Sequence, residues 1–334
     1  MPAARTPAPR GGSRSNTGSN TGWWVALGLI VAAFAGGVIA LNVTLYSAAG
    51  FVGTYLAALE SKNPDAALAT PGVVTIPGVS ERLLQRDALG DLTDIELVEI
   101  IDDGRDTVVR FSFALNGIPS ESHFRVTHDG LRLGLFNSWT FVDSPVSVLE
   151  VSPVNDARFT ANGVALSTSG PSVAGTWQVL SPSVVTLSHS STYLTADSVA
   201  ARVTEPGTSI AATVTVRASD RFVAEVQSEV DGYLERCAAQ TVLFPTGCPF
   251  GYTVSNRVEG APTWSITEFP VVAIEPSEAA GEWVVPNAAG TARISVQVRS
   301  LFDGSVSTID EAVDFAFDWV ITIQSDDTVH IDSR

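Results

Sequence analysis

Few residues in this chain have the type and spacing for chemistry, and they are scattered. The histidines are His123, His128, His189 and His330. His123 and His128 stand an odd number of positions apart in one strand-like run, which points them to opposite faces and argues against joint metal ligation. His128 adjoins Asp129-Gly130, which reads as a solvated turn. GPSVAG at 170–175 resembles GxSxG only superficially: its second glycine comes one residue late and no strand-turn-helix follows. The acidic clusters Asp102, Asp103, Asp106 and Asp326, Asp327 flank hairpins without the spacing of a calcium loop. No Walker, HExxH or glycine-rich phosphate pattern is present. No catalytic, cofactor-binding or metal-ligating residue is assigned on these grounds, and a non-enzymatic role without a cofactor is the expectation.

Cys237 and Cys248 are the two cysteines, and their state depends on compartment. Compartment is set by residues 23–46, WWVALGLIVAAFAGGVIALNVTLY, an apolar run with no charged side chain and only Asn42 and Thr44 as polar residues. At about 1.5 Å per residue it covers the roughly 30 Å hydrocarbon core. Trp23, Trp24 and Tyr46 stand where amphipathic rings anchor at headgroups. Arg5, Arg10 and Arg14 precede it and no acid does, so the positive-inside rule leaves residues 1–22 in the cytoplasm as a disordered tail and puts the bulk of the chain outside. The competing reading is a cleaved signal, with Ser47-Ala48-Ala49 as cleavage site. The run exceeds a signal core of about 7 to 15 residues, which favours a retained anchor.

Outside the cytoplasm thiols oxidise, so a Cys237–Cys248 disulfide is favoured. Closing a loop somewhat shorter than ~15 residues would stabilise by a little under ~3 kcal/mol. The alternatives each lack neighbours: a metal pair has no further Cys or His nearby, and a catalytic thiol has no His close in sequence.

The chain has 334 residues, 45% hydrophobic and 16% charged, with a net charge of −17. That suffices for two or three ordinary domains, and the sign excludes nucleic acid as a partner. Phe51, Val52, Tyr55, Leu56 and Leu59 recur at helical spacing, and Asn63-Pro64 reads as the cap and first position of a second short helix. From about Asp94 the period becomes two. In TVVRFSFAL, Val109, Phe111, Phe113 and Leu115 share one face. Asp103-Gly104, Asn116-Gly117 and Asp129-Gly130 are expected hairpin turns, the last joining SHFRVTH to LRLGLFNSWTF.

Residues 143–216 are rich in Ser, Thr, Val, Pro and Gly, with short runs typical of a small all-β module whose core includes Trp177 and Tyr193. Ser219 then caps a helix with the stripe Phe222, Val226, Val230, Tyr233, Cys237. Beyond the cysteine loop, four strands are expected, the third alternating Val313, Phe315, Phe317, Trp319, Ile321 and Ile323 on one face. The fold class is therefore α+β. One transmembrane helix is followed by helix-plus-antiparallel-sheet domains at 50–142 and 217–334, separated by the β module.

FVGTYLAALESKNPDAALA resembles the opening helices of nuclear-transport-factor-like or cystatin-like extracytoplasmic domains in actinobacterial single-pass envelope proteins. LERCAAQTVLFPTGCPFGY, followed by Trp264 and TEFPVVAI, resembles a segment of their membrane-distal domain, and the middle stretch is similar to PEGA-type β modules. The resemblance implies an envelope location, a non-catalytic role and, since such folds often form a cone, candidate pocket linings at Phe111, Phe113, Phe124, Trp139 or Phe315, Phe317, Trp319. Alternation and core demand favour these rings as core. The expected function is a membrane-anchored binding or scaffold protein whose partners are the membrane and a cell-wall component or envelope protein. The alternative is a small-molecule or wall-ligand sensor using such a pocket and a partner membrane protein.

Overall fold

Serine and asparagine mark where the helices begin. In the computed structural model, which describes residues 21–279, 281–324 and 328–333, the first helix α1 spans Thr21–Val43. Residues 1–20 of the expected tail, and Asp326 and Asp327, lie outside the described residues. The expected helical run to Tyr46 is too long: residues 44–46 form a turn, because Ser47 spends its hydroxyl on capping. Its Oγ donates to Thr44 O at 2.6 Å and accepts from Gly50 N at 3.0 Å, opening α2 (Ala48–Glu60). A Cβ on Gly50 would stand 2.5 Å from Leu45 O, so only glycine permits this close approach. Asn63 Oδ1 caps Ala66 N, with Pro64 opening α3 (Pro64–Leu68).

Four strands follow as an antiparallel meander: β1 (Leu92–Asp103), β2 (Asp106–Leu115), β3 (Ile118–Arg132) and β4 (Phe136–Phe141). Val109, Phe111, Phe113 and Leu115 are buried on the face that α2 covers with Val52, Tyr55, Leu56 and Leu59. Gly104 and Asn116-Gly117 sit in turns with positive φ, as expected. Asp129-Gly130 is not the β3–β4 turn. β3 runs on to Arg132, and Gly130 falls at a register shift between His128 and Leu131, where an extra residue is accommodated as a bulge. The turn comes later, at Leu133-Gly134, both with positive φ, closed by Leu135 N donating to Arg132 O at 3.2 Å.

The strands β5 (Val146–Val154), β6 (Arg158–Ala161), β7 (Val164–Ser167), β8 (Gly175–Leu180), β9 (Ser183–Ser190), β10 (Leu194–Val203), β11 (Ser209–Thr215) and β12 (Arg217–Ala218) form two sheets, ordered β12-β10-β9-β6-β7 and β11-β5-β8. β11 joins β5 in parallel, whereas the other pairs here are antiparallel. Trp177 and Tyr193 are buried, and the GPSVAG segment is the loop between β7 and β8. Residues 73–91, between α3 and β1, reach across to this unit. Gln178, fully buried on β8, accepts from Ile76 N at 2.7 Å and donates to Ile76 O at 3.0 Å and Val79 O at 2.9 Å. Leu83 and Ala88 of the same segment enter the core of the β unit, while Val146, Leu180 and Val184 of that unit enter the first core.

Helix α4 (Asp220–Ala238) is capped by Ser219, whose Oγ accepts from Phe222 N at 3.3 Å. Its buried stripe is Phe222, Val226, Val230, Leu234 and Cys237. Leu234 takes the place expected for Tyr233, whose hydroxyl instead reaches out to Gly247 O at 2.6 Å. The strands β13 (Arg257–Val258), β14 (Thr263–Glu268), β15 (Glu275–Pro276), β16 (Glu282–Arg299), β17 (Val306–Ile323) and β18 (Val329–Ser333) form one antiparallel sheet. The alternation in β17 is realised, with Phe315, Trp319 and Ile321 buried.

Cys237 and Cys248 are disulfide-bonded with Cα atoms 5.8 Å apart. The bridge closes the loop whose Val242 O accepts from Trp264 Nε1 at 2.8 Å. Cys237→Ser should cost a little under ~3 kcal/mol by freeing that loop in the unfolded chain. The check is the melting midpoint under oxidising conditions, which should fall to the wild-type value in reductant. The whole is thus a mixed α+β chain, mostly strands, with one N-terminal helix long and apolar enough to cross a membrane.

Candidate functional site

The seven rings singled out as candidate pocket linings are divided between two cores and a cleft. Phe111 is buried beneath α2, close to Gly53. Phe113 is buried at the edge of an open cleft of about 590 Å³ that also takes in Glu96, Pro119 and Glu121. Phe124 is fully buried and meets Tyr55 edge-on at 6.3 Å. Phe317 and Trp319 lie under Tyr233 of α4, with ring centroids 5.9 and 5.4 Å away, and Phe315 packs at a tilt against Phe250 at 5.4 Å. Trp139 stands apart: half-buried, it lines a cleft at the foot of α1.

The histidines are similarly dispersed. His123 Nδ1 sits 3.3 Å from Glu205 Oε1 in a small charged cleft with Arg125 and Asp143, and His128 meets Trp139 edge-on at 5.5 Å. His189 is buried against Arg158 O at 2.8 Å, and His330 pairs with Asp332 at 3.4 Å. Among the described residues no three His, Cys, Asp or Glu side chains are grouped to hold a metal ion. Tyr55 is the most perturbed phenol. Burial pushes its ionisation well above the usual tyrosine range, so it stays a donor to Ser181 O, 2.8 Å away. That bond ties α2 to the β unit and serves structure.

Where the apolar helix meets the globular part, local rules assemble a collar. Asn42, a polar residue near the end of an otherwise apolar helix, has both amide atoms occupied by the edge of the first sheet. Its Nδ2 donates to Leu135 O at 2.8 Å and its Oδ1 accepts from Asn137 N at 2.8 Å. Four positions on, Tyr46 O accepts from Trp139 Nε1 at 2.9 Å, and the Tyr46 ring stacks on Phe136 at 4.5 Å. Edge-strand groups that would otherwise face solvent are thus satisfied by the helix end. The collar borders an open cleft of about 400 Å³ between the turn after α1, α2, α3 and the β3–β4 hairpin. Phe51, Pro71 and Trp139 give it apolar walls, and Thr54, Thr70, Asn137 and Arg132 give it a polar mouth. Such a lining can hold an amphiphile. It offers no nucleophile paired with a base.

No known protein-family model, curated protein or solved structure matches the chain. The collar therefore stands on its own geometry. Sequence reading picked out Trp139 and Tyr46 for their rings but missed the clasp at Asn42. The signal that could have found it was the lone amide in an apolar run, which must find partners there.

Asn42→Leu should leave Asn137 N without its acceptor and Leu135 O without its donor. With each such bond worth about 0.5–1.5 kcal/mol, hydrogen exchange at the Asn137 amide should rise roughly tenfold. Unchanged protection would mean that the strand edge does not need the helix.

Proposed function

We propose that this chain is a membrane-anchored extracytoplasmic binding or scaffold protein of a bacterial envelope, presenting a distal α+β unit at a fixed geometry from the membrane. The observation that carries this reading is the collar. A span joined by a free linker would leave the ectodomain to swing, whereas Asn42 and Tyr46 clasp β4 directly and Gln178 and Tyr55 tie the first unit to the next. Retention of α1 is supported by the environment of the candidate cleavage site: Ser47 caps α2 and Ala48 is buried, a folded segment unlike the extended one a peptidase takes. An outward ectodomain is supported by Arg5, Arg10 and Arg14 before the helix and by the disulfide beyond it. The resemblance to nuclear-transport-factor-like or cystatin-like domains, with a PEGA-like module between them, agrees with helix-then-antiparallel-sheet occurring on both sides of a two-sheet β unit.

At the opposite end of the β16–β17 hairpin from Trp283 and Ile323, which lie beside the β unit, the turn carries Leu301 and Phe302, 75% and 99% exposed, a surface for a wall or membrane protein. In-cell crosslinking of the full-length chain, read by mass spectrometry, should recover envelope proteins joined through this distal unit. A C-terminal reporter should be active outside the cytoplasm, and activity only inside would overturn the orientation.

A further inference from the structure

We infer that the β3–β4 hairpin tip is a second membrane contact, inserting Leu131, Leu133 and Leu135 into the outer leaflet of the bilayer that α1 spans, with Arg132 on a phospholipid phosphate. The inference rests on α1 being a retained span.

Depth follows from register. Asn42 lies between Leu135 and Asn137 of the hairpin, and Tyr46 lies between Phe136 and Trp139. Moving from Tyr46 back to Asn42 at the end of α1 therefore moves down β4 by one to two residues, roughly 3–7 Å. The strand runs beside the helix toward its apolar middle. Leu135 is held at the level of Asn42, and the turn at Leu133-Gly134 reaches one or two residues beyond it, roughly 3–7 Å deeper. The level of Asn42 is close to the end of the apolar stretch Trp23–Val43, so the tip lies at the depth that interfacial segments reach, about 5–10 Å into the headgroup and acyl boundary.

The tip has the chemistry of that layer. Leu131, Leu133 and Leu135 are 57%, 85% and 44% exposed, and Ile39 and Leu41 near the end of α1 are exposed as well. Leu133 occupies a positive-φ turn position (φ 54°), where Asn or Gly is favoured in water and a branched apolar side chain is strained. Burial in acyl chains offsets that cost.

Between these leucines Arg132 lines the mouth of the collar cleft beside Asn137 and Trp139, and among the described residues no carboxylate pairs with it. A long cationic side chain flanked by inserted leucines reaches back to the phosphate level. The acidic surface as a whole repels anionic headgroups, so an unpaired arginine at this one point is what a phosphate contact requires.

The test uses the full-length chain, one copy per nanodisc of phosphatidylcholine and phosphatidylglycerol, with an environment-sensitive fluorophore on Leu133→Cys. Labels on Leu29→Cys in the helix and Phe302→Cys at the distal turn serve as references, labelled without reducing the disulfide. Lipids spin-labelled on the acyl chain should quench the Leu133 probe several-fold more than the Phe302 probe, and aqueous iodide should do the reverse. If the Leu29 probe is quenched by lipid while the Leu133 probe answers to iodide, the span stands and the hairpin contact is overturned. If neither the Leu29 nor the Leu133 probe is quenched by lipid, the span reading itself fails. A Leu133 probe shielded from both quenchers means that protein covers the tip, which also overturns the contact. Arg132→Glu should cut lipid quenching at Leu133 several-fold, and unchanged quenching overturns the phosphate contact.

Discussion

Gln178→Leu is expected to destabilise the junction between the first unit and the β unit by on the order of 4 kcal/mol. The side chain is fully buried and its amide meets three backbone groups: Ile76 N, Ile76 O and Val79 O. Leucine fills similar space but satisfies none of them. Each buried backbone group left without a partner costs about 1–3 kcal/mol, and some relaxation toward water keeps the total below the simple sum. The backbone of Gln178 itself still donates to Ser80 O at 2.8 Å, so the segment would not detach wholly. The effect should be local before it is global. Hydrogen exchange in residues 73–91 should lose protection first, and the urea midpoint of the detergent-solubilised chain should fall with it. A shift within about 0.5 kcal/mol, as for a surface site, would mean that segment 73–91 does not hold the units together.

This latch also shows where sequence reading stops. Elements governed by short-range rules were legible: Ser219 and Asn63 as caps, the alternation of Val109 to Leu115 and of Val313 to Ile323, and an apolar helix of spanning length. Two cysteines in a chain read as exported sufficed for the disulfide. The features missed are side chains serving a backbone far away in the chain. Gln178 to Ile76 spans 102 positions and Asn42 to Asn137 spans 95, and neither leaves a periodic trace. The parallel pairing of β11 with β5 is hidden for the same reason. Asp129-Gly130 misled in a different way. Asp-Gly is a strong hairpin signal, but a Gly with positive φ serves a bulge as well as a turn, and the pairing of Arg132 with Phe136 put the turn beyond it. The aromatic rings named as pocket candidates have the spacing common to cores and cavities, which periodicity cannot tell apart. Only Trp139 of that set lines the collar cleft, because β4 is the edge on which the helix docks.

Trp283→Ala is expected to cost about 3–5 kcal/mol, the range for truncating a buried aromatic, and to lower the β unit and the distal unit together. Trp283 is 2% exposed and meets Phe222 of α4 edge-on at 6.4 Å, and Phe222 in turn meets Tyr193 of the β unit at 5.2 Å. One apolar cluster runs from Leu149 and Trp177 through Phe222 to Ile294 and Trp319, with no break at the boundary near residue 217 suggested by composition. A shared core couples the two stabilities: a cavity at Trp283 removes contacts from α4, and α4 is the roof over Tyr193. Calorimetry of the variant should therefore show one transition for both units, displaced downward, with the first unit following only as far as its own core and the Gln178 latch allow. Two resolved transitions, with only the distal one displaced, would show that the β and distal units are independently stable domains.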